Sequence, residues 1–330
     1  MRVFAPLDAQ LPLAEVAATV SRIEQLGYDG IHVPETTHDS MMVALLALQS
    51  STALTVRTAV TVAFPRSPMV LALAAWDLAQ FSGGRFELGL GTQVRPNIEG
   101  RYGVPWSDPV GRMRDYVGAL RAIWTAFQDG GPLRFDSAHY KFTRLQPYFN
   151  PGPIACPTIP VYLGGIGPAM CALAGTVADG LITHPTGALP AVLAEASAAV
   201  RAHGSAAVIA SAQYVSGADP AAIALNREAK RRSLAFLYST PAYRGALERL
   251  GMADRADRLH LLSRAGEWSE MAAVVDDAML DAIAPTASYP ELPQLLAGRY
   301  GALADGLVIA PPVDPGEDLL MARALAVLRG

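Results

Sequence analysis

Along this 330-residue chain, short apolar runs alternate eight times with amphipathic stretches, and that alternation restricts the fold more than any other feature. Residues 3–7 read as the first strand and 13–26 as a helix stopped by Gly27. Residues 30–35 form the second strand, with a helix over 40–49. Residues 54–62 are the third strand and 69–81 its helix. Residues 86–91 are the fourth, and 109–127 carry apolar side chains at helical spacing. Residues 159–163, 180–183, 206–215 and 306–310 complete the strands. Helices over 168–177, 188–203, within 219–251, and over 317–328 follow them. Continuous apolar strands in βα alternation call for a parallel sheet covered on both faces. Eight such units predict an α/β chain folded as one (β/α)8 TIM barrel, with an open doubly wound sheet as the alternative.

No linker rich in Pro, Ser or charge divides the chain, so residues 1–330 are expected to form a single domain. Two stretches, about 130–158 and 218–305, read as insertions into the barrel. In the first, Tyr148 and Phe149 are expected to pack the insertion onto the barrel. Hydrophobic residues make up 51%, enough for a large core. The net charge of −4 argues against a nucleic-acid partner, which calls for a basic face. The two cysteines, Cys156 and Cys171, have neither metal-site nor disulfide-framework spacing, and Cys171 reads as a small core residue. No stretch has the length of a membrane span, and the apolar start is too short for a signal peptide, so a cytoplasmic protein is expected.

In such a barrel, chemistry sits where strands end and loops begin. The fifth strand ends in Tyr162-Leu163-Gly164-Gly165-Ile166-Gly167-Pro168, a glycine turn opening a helix. Glycines permit positive φ and close approach of a ligand, and Pro168 suits the first helical turn. Free N–H groups and the helix dipole together favour a phosphate, although a tight turn without a ligand has the same sequence. Thr183, His184 and Thr186 on the following loop would complete such a site. The spacing differs from the dinucleotide fingerprint, and no acidic residue ends the next strand.

The chain resembles the luciferase-like monooxygenase superfamily of flavin and deazaflavin enzymes over nearly its whole length. The resemblance rests on Gly27-Tyr28-Asp29-Gly30, on Ser82-Gly83-Gly84-Arg85-Phe86-Glu87-Leu88-Gly89-Leu90-Gly91, on Tyr162-Leu163-Gly164-Gly165 and on Ala178-Asp179-Gly180. Gly91-Thr92-Gln93-Val94 and Ser239-Thr240-Pro241-Ala242-Tyr243-Arg244 are similar to a subgroup that uses coenzyme F420, a 5-deazaflavin. The resemblance implies an oxidoreductase moving a hydride between F420 and a small organic substrate. Reduction of an activated C=C or C=N bond and oxidation of an alcohol or hemiacetal are both open. The alternatives are an FMN-dependent monooxygenase using dioxygen, a barrel enzyme acting on a sugar phosphate, and a non-catalytic cofactor-binding subunit.

The resemblance also implies where the cofactor lies. Its phosphate end falls at Gly164, Gly165, Ile166 and Gly167, with Thr183 and His184 alongside. A bulge with a non-prolyl cis peptide, near Ala59, Val60 and Thr61, backs the ring, and Thr92 lies beside it. Relatives end strand two with an acidic residue followed by His; here the pair is Glu35-Thr36, with His38 two residues on.

Glu35 therefore reads either as a general acid or polar anchor, or as a helix cap. His38 offers an imidazole for acid–base work, or is a solvated loop residue. Gln93 can hydrogen-bond a ring edge. Arg95 and Arg101 reach an anionic tail or a substrate carboxylate, or are surface charges, the simpler reading for Arg101. Lys230, Arg231, Arg232 and Arg244 are a basic cluster suited to an anionic tail or to a solvated helix face. Trp106 and Tyr140 are candidate walls of a substrate pocket, and His32 reads as a core histidine. A homodimer through helices two and three is implied, and the apolar helix Met41-Met42-Val43-Ala44-Leu45-Leu46-Ala47-Leu48 exceeds one core-facing stripe.

Overall fold

A computed structural model of the chain describes all of residues Met1–Gly330. The strands are β1 (Arg2–Pro6), β2 (Gly30–Val33), β3 (Thr55–Thr58), β4 (Thr61–Val62), β5 (Phe86–Gly91), β6 (Phe135–Asp136), β7 (Lys141–Phe142), β8 (Val161–Gly164), β9 (Gly180–Ile182), β10 (Ala207–Ser211) and β11 (Gly306–Val308). Nine of them form one sheet in the order β3-β2-β1-β11-β10-β9-β8-β5-β4, and β3 also pairs with β5, so the sheet closes on itself. β3 and β4 are two pieces of the expected third strand, leaving eight strands in a closed parallel (β/α)8 barrel. The interruption holds the cis peptide Ala59–Val60, at the position the resemblance implies.

The helices are α1 (Val16–Gln25), α2 (Ser40–Gln49), α3 (Pro68–Ser82), α4 (Arg95–Gly100), α5 (Pro109–Asp129), α6 (Pro168–Val177), α7 (Pro190–Arg201), α8 (Pro220–Tyr238), α9 (Arg244–Glu248), α10 (Ala253–Ala265), α11 (Trp268–Val274), α12 (Asp277–Ile283), α13 (Leu292–Tyr300) and α14 (Asp318–Arg329). Their ends follow local chemistry. Ser67 Oγ accepts from Met69 N to start α3, Pro68 fills its first turn, and Gly83 at φ 63° ends it. Asp39 caps α2 by accepting from the Met41 and Met42 amides.

The chain divides into two compact units. The larger comprises Phe4–Ile182 and Ala198–Val208. Its interior contains Ile31, Val56, Leu88 and Val161, all fully buried. Among them lies a charge, the fully buried guanidinium of Arg57 on β3. Arg57 is ion-paired with Glu87 of β5, its Nε donating at 2.6 Å. Its Nη1 lies 3.1 Å from His32 Nε2 on β2. An arginine can only donate, so His32 accepts there as a neutral core histidine. The guanidinium carbon lies 4.3 Å from the Phe4 ring centroid and 3.6 Å from that of Tyr162.

The first insertion forms the β6–β7 hairpin, paired as Phe135↔Phe142 and Asp136↔Lys141. Tyr148 and Phe149 do not pack it onto the barrel: they are 91% and 62% exposed and meet each other edge to face. The insertion is held by Gly152 O accepting from Trp76 Nε1, by Asn150 Nδ2 donating to Ala126 O, and by the buried side chains of Leu133 and Ile154.

The smaller unit comprises Met1–Val3, Thr183–Ser197 and Ile209–Gly330. The second insertion supplies most of its core, including Leu234, Leu247, Leu259, Met279 and Ile283. Cys171 is buried, and the apolar setting pushes its thiol up to about 11. No helix is long and apolar enough to cross a membrane.

Candidate active site

Glu35 follows β2, and its side chain is almost fully enclosed. Three donors meet its carboxylate: Arg66 Nη1 at 2.8 Å, Ser40 Oγ at 2.8 Å and Val62 N at 3.3 Å. Arg66 also donates to Asp39 at 2.7 Å and to Val62 O at 2.9 Å. Burial opposes charge on both Arg66 and Asp39, yet their contacts prevail. Arg66 is held above its ordinary value by Glu35 and Asp39, and Asp39 below its own by Arg66 and the Met41 and Met42 amides. The cap of α2 is thus Asp39, while Glu35 fastens the end of β2 to β4 and its following loop.

Ser40 Oγ also lies 2.8 Å from Thr61 Oγ1. A hydroxyl has one proton, and the Glu35 carboxylate is the stronger acceptor, so Ser40 donates to Glu35 and accepts from Thr61. Thr61 is fully buried, with its hydroxyl turned into the protein. From outside, Arg112 on α5 donates to Phe64 O at 3.1 Å and stacks over the Phe64 ring, and Tyr116 donates to Arg66 O. Trp106 meets Phe64 edge-on, and the Tyr140 hydroxyl accepts from Arg112. Arg66, Ser40 and Arg112 are not singled out in the sequence, because nothing local distinguishes them from surface polar residues.

Val60, on the far side of the cis bond from Ala59, lies over two glycines. A Cβ on Gly91 would stand 2.4 Å from Val60 Cγ2, and one on Gly164 2.9 Å from Val60 Cγ1. Ala59, Val60, Thr61, Thr92 and Gln93 therefore cluster where β4, β5 and β8 end. Gln93 has φ 58°, an uncommon left-handed conformation for a non-glycine residue. Its Oε1 accepts from Val94 N and Asn97 Nδ2, which leaves its Nε2 as a donor. Thr92 Oγ1 donates to Gln93 O.

The turn after β8 does not use positive φ: Gly164, Gly165 and Gly167 are all outside that region, and Gly167 has φ −76°. Glycine is needed for closeness instead. A Cβ on Gly165 would stand 2.7 Å from Met170 Cγ, whereas one on Gly167 would meet nothing within 4 Å. Gly165 N donates to Ile182 O. The N–H groups of Ile166, Gly167 and Ala169 have no acceptor in the protein, and no side chain caps α6. Open space before an uncapped helix start fits a phosphate.

His38 is half-buried beside Leu7, Asp8 and Pro34, and no hydrogen bond joins it to Glu35. Within the smaller unit, Thr183 is committed to β10, its Oγ1 accepting from Ser211 N and its carbonyl from Ser211 Oγ. His184 stacks on Tyr243 with ring centroids 4.4 Å apart. Its Nδ1 accepts from Thr186 N, which places the neutral ring's proton on Nε2. Burial pushes His184 down to about 4. In the basic cluster, Arg231 is paired with Asp277 and Glu228, and Arg244 with Asp257 and Glu248. Burial lowers Lys230. Two of the four expected tail-binding cations are thus already neutralised by carboxylates.

The closed βα barrel, with its glycine cradle after β8 and interrupted third strand, defines a luciferase-like fold. The family model of the luciferase-like monooxygenases matches residues 1–305, and the chain belongs to that family. It is 38% identical over 309 residues to an uncharacterised protein of Mycobacterium tuberculosis, covering 91% of each. It is 28% identical to the 5,10-methylenetetrahydromethanopterin reductase of Archaeoglobus fulgidus, over 84% of this chain and 82% of the relative. The coenzyme F420-dependent tetrahydromethanopterin reductase of Methanopyrus kandleri superposes with a TM-score of 0.80 at 18% identity, over 97% of this chain and 96% of that one.

Gly167→Val is expected to leave stability within about 0.5 kcal/mol of the parent, since its side chain enters open space. It should weaken cofactor binding at least tenfold, as measured by fluorescence titration. Gly165→Val, by contrast, should lower the urea midpoint, because Met170 must move.

The stacked His184 makes stability depend on pH. Its folded value of about 4 lies below its ordinary 6.5, so between them only the unfolded chain binds the proton. Stability should therefore fall as pH drops from 6.5 toward 4, and His184→Gln should flatten that slope. Urea midpoints across this range measure it; an unchanged slope in the variant would assign the acid limb to other groups.

Proposed function

We propose that this protein is an F420-dependent oxidoreductase acting on a small organic substrate. The observation that carries the reading is the cradle at residues 164–167, open at Gly167 and beside Val60, in a chain whose relatives include F420-dependent reductases. When bound, a deazaflavin supplies a ring carbon that gives or takes a hydride. The Ile166, Gly167 and Ala169 amides would hold its phosphate. Ala59 and Val60 would present an apolar face to the ring, and Gln93 Nε2 would donate to its polar edge or to the substrate. The Glu35 carboxylate already meets three donors of the protein, so of its two functional roles Glu35 takes that of anchor. His38 is the proton-transfer candidate that no bond restrains.

We also propose a homodimer. Met42 and Leu45 on α2 are 61% and 37% exposed, and Val70, Leu73 and Phe81 on α3 are 62%, 37% and 56% exposed. Exposed apolar residues clustered on adjacent helices suit a two-fold interface. Light scattering at micromolar concentration should give twice the monomer mass; a monomer there would remove this proposal.

Purified protein should bind F420 at least tenfold more tightly than FMN in parallel fluorescence titrations. Because Arg231 and Arg244 are already paired, lengthening the oligoglutamate tail should change affinity little. Preference for FMN, with oxygen uptake on reduction, would instead make the protein a flavin monooxygenase.

A further inference from the structure

Among the arginines in the loops and helices that follow β4 and β5, Arg66, Arg95 and Arg112 each have side-chain or carbonyl partners that hold them. Arg66 is clamped between Glu35 and Asp39. Arg95 pairs with Glu99 one turn along α4. Arg112 spends its donors on Pro105 O, Phe64 O and the Tyr140 hydroxyl. Arg101 differs: it has no carboxylate partner, and its one protein acceptor is Thr36 O, reached by Nη2 at 2.6 Å.

That contact puts the guanidinium at the end of β2, one residue beyond Glu35, although Arg101 itself follows α4. Arg101 N donates to Asn97 O, and the guanidinium carbon lies 5.2 Å from the Tyr102 ring centroid. The segment it grips is itself fixed, since Thr36 and Thr37 hydroxyls both donate to Ala9 O, at 2.9 and 2.7 Å. Arg101 is exposed, and of the five donors of its guanidinium one is spent on Thr36 O. Neighbouring negative charge does not consume them, because both Glu35 oxygens are already occupied.

We propose that Arg101 is a substrate-binding residue, selecting substrates that carry a carboxylate or phosphate beside the group that reacts. This rests on the F420 reading above. A guanidinium receives either anion through two parallel N–H···O bonds, which fixes orientation as well as charge. The cofactor's own anionic end is a poorer partner. The phosphate cradle follows β8, three steps from β2 around the sheet through β3 and β5, or roughly 14 Å at ordinary strand spacing. The carbonyl that Arg101 grips thus follows a strand three places away from the one that carries the cradle.

The test uses the full-length protein with and without F420, at constant ionic strength. Its thermal midpoint is followed on titration with propionate, inorganic phosphate and, as a neutral match, propionamide. Either anion should raise the midpoint while propionamide does not, and the anion that acts identifies the substrate's group. Arg101→Ala should weaken that response about tenfold, and Arg101→Lys, which keeps charge but loses the paired geometry, should retain part of it. An equal anion response in Arg101→Ala overturns the proposal, as does an equal response to propionamide. So does an Arg101→Ala variant whose only change is weaker binding of long-tailed relative to tail-free F420, since that makes Arg101 a tail contact. Failure of the parent to bind F420 would count against the proposed function, whereas the anion response of the cofactor-free protein is read separately.

Discussion

One buried cation organises the larger unit. Arg57 projects from β3 and touches side chains of β1, β2, β5 and β8 through Phe4, His32, Glu87 and Tyr162. A charge in such surroundings is tolerated only when paired, and removing one partner of a buried pair typically costs about 3–5 kcal/mol. Each contact therefore constrains the register of a different strand against β3. Gly89 extends the constraint upward: a Cβ there would stand 1.9 Å from Thr58 O, and its N–H donates to Thr58 Oγ1. With β3 and β5 locked in this way, the third strand breaks beyond Thr58 and resumes at Thr61.

The candidate site residues stand on that break. Val60 occupies the space that Gly91 and Gly164 leave by having no side chain. Glu35, Ser40 and Arg66 tie the resumed strand to β2 and α2, and Arg112 and Tyr116 fasten the loop from α5. Contacts of this kind preorganise the segment around the cis peptide. The glycine turn after β8 is built differently. Its amides are left without acceptors, and Gly167 leaves them uncovered.

Much of this was legible in the residues. The βα alternation predicted the barrel because a strand buried on both faces must be apolar throughout, as β5 is. The glycine turn and Pro168 marked the start of α6, since both have strong backbone preferences. The position of the cis peptide followed from resemblance alone. Other features were not legible. Arg66, Ser40 and Arg112 lie far apart in sequence from the atoms they bind, and a lone polar residue in a loop gives no signal of its partner. Tyr148 and Phe149 look like packing residues by type, yet they are exposed, because burial is decided by neighbours rather than by hydrophobicity.

The sequence by itself determined the order of elements, the parallel barrel and the family, because these depend on periodicity, turn residues and motif spacing, all local along the chain. Only the tertiary structure decided what each polar group does. Glu35 ties β2 to β4, and Asp39 caps α2, with Arg66 arriving between them from another loop. Arg101, which reads as a surface charge, is held against the end of β2 by Thr36 O. Charges are assigned by the partners within a few ångströms of them, and those partners come from segments that only folding brings together.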